Sequence, residues 1–341
     1  MGEVSTIGLD LAKSVFQVHG ADASGAVLFR RKLRRHQVLT FFAAQRSCTV
    51  AMEACGSSHY WAREITKLGH TVRLISPAYV KPFVKRQKND AADAEAICEA
   101  AQRPTMRFVA PKSEQAQASA VVFRARDLLV RQRTQIMNAL RGHLAEFGII
   151  VAKGPAHVPQ LVQAVEDEAE PIPELARPIL QLLIETLHRL DEQIASLDRE
   201  VAQRAKENET ARRLMTIPGV GPVTAVALVA LAPPAETFKC GRDFAAWVGL
   251  TPLQHSTGGK QKLGATSKMG ERTLRRLLII GANSVLLWVA RNGAPAGSWI
   301  GRMLARKPPM LVRVALANKM ARIVWALLAR GEVYRAPAVG A

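Results

Sequence analysis

The stretch RQKNDAADAEAICEAA, residues 86–101, places Asp90 and Asp93 three apart at the start of a predicted helix. That spacing sets both carboxylates on one helical face. Lys85, Arg86 and Lys88 directly precede them. Two further acids, Asp10 and Glu53, end runs that read as the first and fourth strands, VSTIGLD and CTVAMEA. Those two strands can be neighbours in a mixed sheet, and their ends then set Asp10 beside Glu53. Four carboxylates gathered at one spot repel strongly unless hard cations neutralise them. Magnesium or manganese takes carboxylate oxygens together with phosphate oxygens, and two such ions clamp the attacking and leaving oxygens of phosphoryl transfer. Asp10, Glu53, Asp90 and Asp93 are therefore candidate metal ligands and catalytic acids. Each has a plainer reading by itself: a strand-end acid closes a turn, and Asp90 suits a helix cap.

A second group lies in GLTPLQHSTGGKQKLGATSKMGERTLRRLL, residues 249–278. Ser256 sits in a small flexible loop with Gly258 and Gly259 behind it, among Lys260, Lys262, Lys268, Arg272, Arg275 and Arg276. A serine hydroxyl is a weak nucleophile until a base or a metal activates it. The basic neighbourhood suits a phosphate under attack. On spacing alone the better reading is a loop that holds a nucleic-acid backbone through Ser256, Thr257 and main-chain amides. His255 is a candidate base only by adjacency. A third group, IPGVGPVTA at 217–225, reads as the turn of a helix-hairpin-helix, where Gly219 and Gly221 let main-chain amides approach phosphates. Tight helix packing needs the same glycines.

The 341 residues carry 47 Lys and Arg against 28 Asp and Glu, a net charge of +19. That balance points to a polyanionic partner, above all nucleic acid. From Lys260 onward 15 basic residues meet 2 acidic ones, so the excess is concentrated there. The length allows two domains, and 48% hydrophobic residues exclude a disordered chain. Cys48, Cys55, Cys98 and Cys240 form no CxxC pair and lie near no histidine cluster, so neither a zinc site nor a disulfide framework is expected. No charged segment followed by an apolar run opens the chain. LLIIGANSVLLWVA (277–290), bracketed by Arg276 and Arg291, is too short to span a bilayer and reads as a buried helix. The expectation is a cytoplasmic, DNA-associated protein that uses no membrane.

These groups need a scaffold. Strands at 4–10, 14–20, 26–32, 48–54 and 70–76 interleave with helices near 36–45, from Ser57 or Ser58 to about Leu68, and from Asp90 onward. The order β-β-β-α-β-α-β-α describes an α/β domain over 1–110, a mixed five-stranded sheet with helices on both faces. Residues 113–147 read as a long basic helix with Arg124, Arg126, Arg131, Arg133 and Arg141. Residues 148–173, with Gly, Pro and the run EDEAE, read as a linker. Leu183, Leu187, Leu190, Ile194, Leu197 and Val201 form a heptad seam. It belongs either to an internal hairpin with the 113–147 helix or to an intermolecular coiled coil; this helical segment covers 111–210. A mostly α C-terminal domain, 211–335, opens with TIPGVGPVTAVALVAL and closes with helices near 271–290 and 310–330.

GLDLAK (8–13), AMEACG (51–56), KNDAADA (88–94), IPGVGPVTA, and WVGLTP followed by HSTGG, taken in this order, resemble the transposases of the IS-one-ten family of bacterial insertion sequences. The resemblance spans nearly the whole chain. It implies an RNase H-like, RuvC-like DEDD domain in which Asp10, Glu53, Asp90 and Asp93 hold divalent metal ions. It also implies a transposase domain whose serine, Ser256, forms a phosphoserine link to DNA. Family members often carry two serines before the glycine, whereas here the run is Ser256–Thr257–Gly258. The resemblance further implies donor and target DNA, a structured guide RNA from the element, and a homo-oligomer, dimer or tetramer, that combines carboxylates and serine from different protomers. Backbone contacts would come from Lys13, Lys85, Arg86, Lys88, Arg124 and Arg131, together with the basic residues after Ser256. Three other readings remain distinct. A RuvC-like junction nuclease would use water as nucleophile and need no Ser256. An actin-like sugar kinase would need a second glycine-rich phosphate loop and an adenosine pocket, and neither is evident. A non-catalytic nucleic-acid binder would keep the acids as structural groups.

Overall fold

A computed structural model describes residues 2–85 and 89–336. Arg86 and Lys88, expected at the nucleic-acid face, lie outside the described residues. The chain forms two compact units, residues 1–115 and 116–341.

The first unit is built on strands β1 (Thr6–Asp10), β2 (Val15–Ala21), β3 (Val27–Arg34), β4 (Thr49–Glu53), β5 (Thr71–Ile75) and β6 (Phe108–Val109). Their order in the sheet is β3-β2-β1-β4-β5-β6. β1, β4 and β5 run parallel, and β2, β3 and β6 join antiparallel. The sheet therefore has six strands rather than the expected five. The added one is two residues long and pairs with Leu74 and Ile75, too short to show a period-2 pattern. β1 and β4 are neighbours as expected. Leu9 is paired with Met52, so the next residues, Asp10 and Glu53, end adjacent strands.

Alternation assigns the two faces of this sheet. Ile7, Leu9, Val50 and Met52 share a core with Val38 and Phe42 of α1 (Val38–Ala43) and with Trp61 and Ile65 of α2 (Ser58–Lys67). Neither serine caps α2 through its side chain in the expected way. Ser57 holds the cap position with left-handed backbone and no side-chain cap bond, while Ser58 Oγ donates to the Cys55 carbonyl (2.9 Å). After α3 (Pro77–Val80), α4 (Asp90–Ala101) covers the opposite face. There Ala51 and Ile75 pack with Ala96, Ile97, Ala100 and Ala101. A Cβ on Gly8 would stand 2.2 Å from the Ala94 carbonyl oxygen and 2.7 Å from the Cys98 nitrogen. Only glycine lets α4 lie this close to β1.

α5 (Glu114–Glu146) begins at the end of the first unit and runs into the second, which continues with α6 (Val158–Glu166) and α7 (Arg177–Glu207). Leu187, Leu190, Ile194 and Val201 of the heptad seam are buried within the chain. Arg126 Nε donates to Asp198 (2.5 Å) and Arg133 Nη1 to Asp191 (2.9 Å), which ties α7 to α5 as an internal hairpin. The 148–173 stretch carries α6, whose Leu161 and Val165 pack with Leu140, Leu144 and Leu187. The remaining helices are α8 (Glu209–Leu214), α9 (Pro222–Leu231), α10 (Gly241–Trp247), α11 (Arg272–Asn292), α12 (Trp299–Leu304) and α13 (Pro309–Arg330). A hairpin of β7 (Pro252–Gln254) and β8 (Leu263–Thr266) precedes α11. α11 has 21 residues and, by length and composition, could cross a membrane. Its Leu274, Leu278, Ala282 and Leu286 are buried in the core of this unit, so it is a core helix. It is longer than its apolar run because Arg272, Arg275 and Arg276 form its opening turns.

Candidate active site

The site is assembled by α4 and the ends of β1 and β4. Asn89, not Asp90, caps α4: its side-chain oxygen accepts from the Ala91 N–H (3.0 Å). Asp90 and Asp93 thus keep their carboxylates for other partners, in a first turn where the helix dipole favours negative charge. They extend the stripe of buried Ala94, Ile97 and Ala101 over the sheet. Asp10 lies two residues beyond Gly8 and Glu53 two beyond Ala51, so both project to the face that α4 covers.

One carboxylate oxygen each of Asp10, Asp90 and Asp93 lie within 4.8 Å of one another. Glu53 is not one of that trio, but its charge acts on Asp10. Burial first, then Asp93, Asp90 and Glu53, push the Asp10 carboxyl up to about 6, against a bond from the Leu11 backbone that lowers it. Repulsion among hard oxygen donors is what a hard divalent cation relieves, so these residues fit one. Cys55, read in the sequence only as an unpaired thiol, lies two residues past Glu53. Burial, then Glu53 and Asp10, raise its thiol pKa and keep it neutral at the rim of the cluster.

A second device missed in the sequence anchors α4. Glu95 accepts from Arg30 Nη2 of β3 (2.8 Å) and from Lys85 Nζ (2.8 Å), and Lys85 also lies 3.8 Å from Glu99. Lys85 is therefore paired with two carboxylates of α4 while its side chain stays largely exposed. Only the alternation of acids along α4 could have signalled this. Lys13 is exposed in the turn after β1, near the acidic cluster in sequence.

Ser256 lies in the connection of the β7–β8 hairpin. Thr257 and Lys260 exchange backbone bonds (Thr257 N–H to Lys260 O 3.3 Å, Lys260 N–H to Thr257 O 2.9 Å) around Gly258 and Gly259. Both glycines have positive φ, 54° and 77°, the signature of a tight hairpin turn. Ser256 Oγ accepts from the Lys262 N–H (3.3 Å), and its side chain is exposed, as are Lys260, Lys262 and Lys268. Arg272 is exposed at the start of α11. Arg275 is not: its Nη1 donates to the carbonyls of Val248 (2.9 Å) and Met269 (2.7 Å). Arg276 is ion-paired with Asp127 of α5. Arg275 thus serves the fold, whereas Arg276 stays exposed beside its ion pair.

Arg124 is exposed on α5, and Arg131 is exposed but 3.9 Å from Asp127. Gly219 is a packing glycine: a Cβ there would stand 2.5 Å from the Gly281 carbonyl oxygen of α11. Gly221 holds the N-cap position of α9, and no atom stands where its Cβ would be.

Residues 211–294 match the family described as Transposase IS116/IS110/IS902 family, and residues 7–149 match the DEDD transposase domain of the IS110 type. A probable family 20 transposase of Pseudomonas aeruginosa is 50% identical over 334 residues, 97% of this chain and 99% of its own length. The transposase for insertion sequence element IS1328 of Yersinia enterocolitica is 41% identical, covering 98% of this chain and 99% of its own. The transposase for element IS1111A of Coxiella burnetii is 39% identical, covering 98% and 92%. With two matched domains and such identity along nearly its whole length, the chain belongs to the IS110/IS116 family of insertion-sequence DNA transposases.

Proposed function

We propose that this transposase cuts and rejoins DNA by metal-dependent transesterification at Ser256, with its sites chosen by a structured RNA. The observation that carries the reading is the gathering of Asp10, Asp90 and Asp93 oxygens within 4.8 Å of one another. The order of the sheet, with acids ending β1 and β4 beneath α4, supports a RuvC-like domain. The α8–α9 turn supports a helix-hairpin-helix in a transposase domain over 211–335. Asp10, Glu53, Asp90 and Asp93 would hold magnesium or manganese, as a pair of ions. When bound, such ions supply charge neutralisation and polarisation at the phosphate being transferred.

The covalent step belongs to Ser256. Its Oγ forms a bond to phosphorus, the bond from phosphorus to the 3′ oxygen breaks, and in the net reaction the serine proton ends on that 3′ oxygen. One phosphodiester replaces another, so the bond energy is conserved and no nucleotide triphosphate is consumed. A 3′ hydroxyl of the exchange strand reverses the step and frees the serine. The acids lie in the first unit and Ser256 in the second. A homo-oligomer that combines them across protomers is part of the reading. Backbone contacts from Lys13, Arg124, Lys260, Lys262, Lys268 and Arg272 hold the nucleic acids.

Trapping the protein on a suicide DNA substrate and mapping the adducted residue by mass spectrometry tests the serine. Ser256→Ala is expected to lose both adduct and recombination. If it cleaves at the wild-type rate, hydrolysis by water replaces this reading. Asp90→Asn is expected to stop strand cleavage while leaving RNA binding largely intact.

A further inference from the structure

Three cations of the second unit meet without an acid. Trp299 and Arg302 lie three apart on α12, and Lys319 and Arg322 three apart on α13, so each pair shares a helical face. The two helices pack together, and the Lys319 ammonium sits 4.8 Å from the centroid of the Trp299 ring. The negative face of the indole holds the ammonium in place. Arg302 is fixed from its own side, its Nη1 donating to the Gly297 carbonyl (2.7 Å). Lys319 is half-buried, and its pKa is lowered by burial first and then by Arg322 and Arg302. Among the described residues no carboxylate forms an ion pair with any of them. After Glu271 the sequence has a single acid, Glu332, thirteen residues past Lys319.

Like charges held together without a counter-charge are unfavourable until an anion joins them. Two guanidinium forks and an ammonium suit the oxygens of a phosphodiester, and nothing in the cluster reads a base edge. We propose that Lys319, Arg322 and Arg302, with Trp299 beneath Lys319, form a binding site for the backbone phosphate of nucleic acid, additional to the basic residues around Ser256. The proposal rests on the recombinase reading, because that reading supplies the polyanion. The site positions DNA or RNA irrespective of sequence.

The test is the salt dependence of binding by the full chain to a short DNA duplex of arbitrary sequence and to a single-stranded RNA. The Lys319→Gln/Arg322→Gln variant is expected to bind about tenfold more weakly at low salt, with a log–log salt slope shallower by about 1 to 2. The wild-type melting temperature should be retained. Lys319→Arg, which keeps the charge, is expected to keep the slope. Arg199→Gln/Arg189→Gln on α7 removes the same net charge elsewhere and is expected to leave the slope unchanged. Which of the two probes shows the loss tells DNA from RNA as the ligand. An unchanged slope in the double variant, or an equal change in the α7 control, overturns the proposal while wild-type binding leaves the recombinase reading standing. A wild-type chain that binds neither probe overturns that reading itself.

Discussion

Asp10 and Gly8 show how much of the site is decided by single residues. Asp10 is pushed up to about 6 in the fold, above the value of about 4 for an unfolded aspartate. A carboxyl raised on folding stabilises the native state while protonated, so that contribution is present below about 4 and lost as pH rises through about 6. In chelator-treated protein, Asp10→Asn is therefore expected to be more stable than wild type at pH 7. Its advantage should be on the order of 1 kcal/mol after allowance for solvent screening, and it should vanish near pH 4. Thermal unfolding across that range checks it; an advantage that does not vary with pH would remove the repulsion argument. Gly8→Ala tests the close approach. A methyl 2.2 Å from the Ala94 carbonyl must push α4 off β1. We expect a loss of roughly 1–3 kcal/mol and, because α4 carries Asp90 and Asp93, weaker manganese uptake by calorimetry.

At the scale of elements, α4 is the part that matters most, and its hold on the sheet is partly ionic. Glu95 joins Arg30 of β3 to Lys85 in the approach to α4, with the three side chains 26%, 57% and 71% exposed. Pairs this open contribute about 0.2–1 kcal/mol each and are screened by salt. Glu95→Gln is expected to lower stability by about that much in dilute buffer and by little in molar salt. A deficit that persists at high salt would show that Glu95 acts through packing instead. The same element shows what could be read in the sequence. Asp90 and Asp93 were visible from their helical spacing, and the ends of β1 and β4 from their apolar runs, because both patterns are local. The Glu95 bridge and the two-residue β6 were not visible, since the first depends on partners remote in sequence and the second is too short for periodicity; the Asn89 cap is a local pattern that was passed over for Asp90. The hairpin around Ser256 was signalled by Gly258–Gly259, yet the polar run hid its strands. Arg275 read as an open cation because composition does not say which charges the fold itself will use.

At the scale of the whole molecule, the acids and the serine are divided between two units that each have a core. Residues 1–115 hold all four acids, the six-stranded sheet and the helices on both its faces. They carry 17 basic and 10 acidic residues, and residues 116–341 carry 30 and 18, so both units have a basic excess and the acidic cluster is a local feature of a basic unit. Under the proposed function the division of labour is local: Asp10, Asp90 and Asp93 gather negative charge at one spot of the first unit, and Ser256 lies among exposed lysines in the second. If the acidic cluster is a property of the first unit alone, a fragment of residues 1–115 should unfold cooperatively and take up manganese with the affinity of the full chain. It should form no DNA adduct even when supplied with the RNA, because Ser256 is missing. Calorimetric titration of fragment and full chain side by side decides the point. A folded fragment that binds no manganese would mean that the ligands are completed from the second unit or from another protomer, and the four acids would then be only part of the metal site.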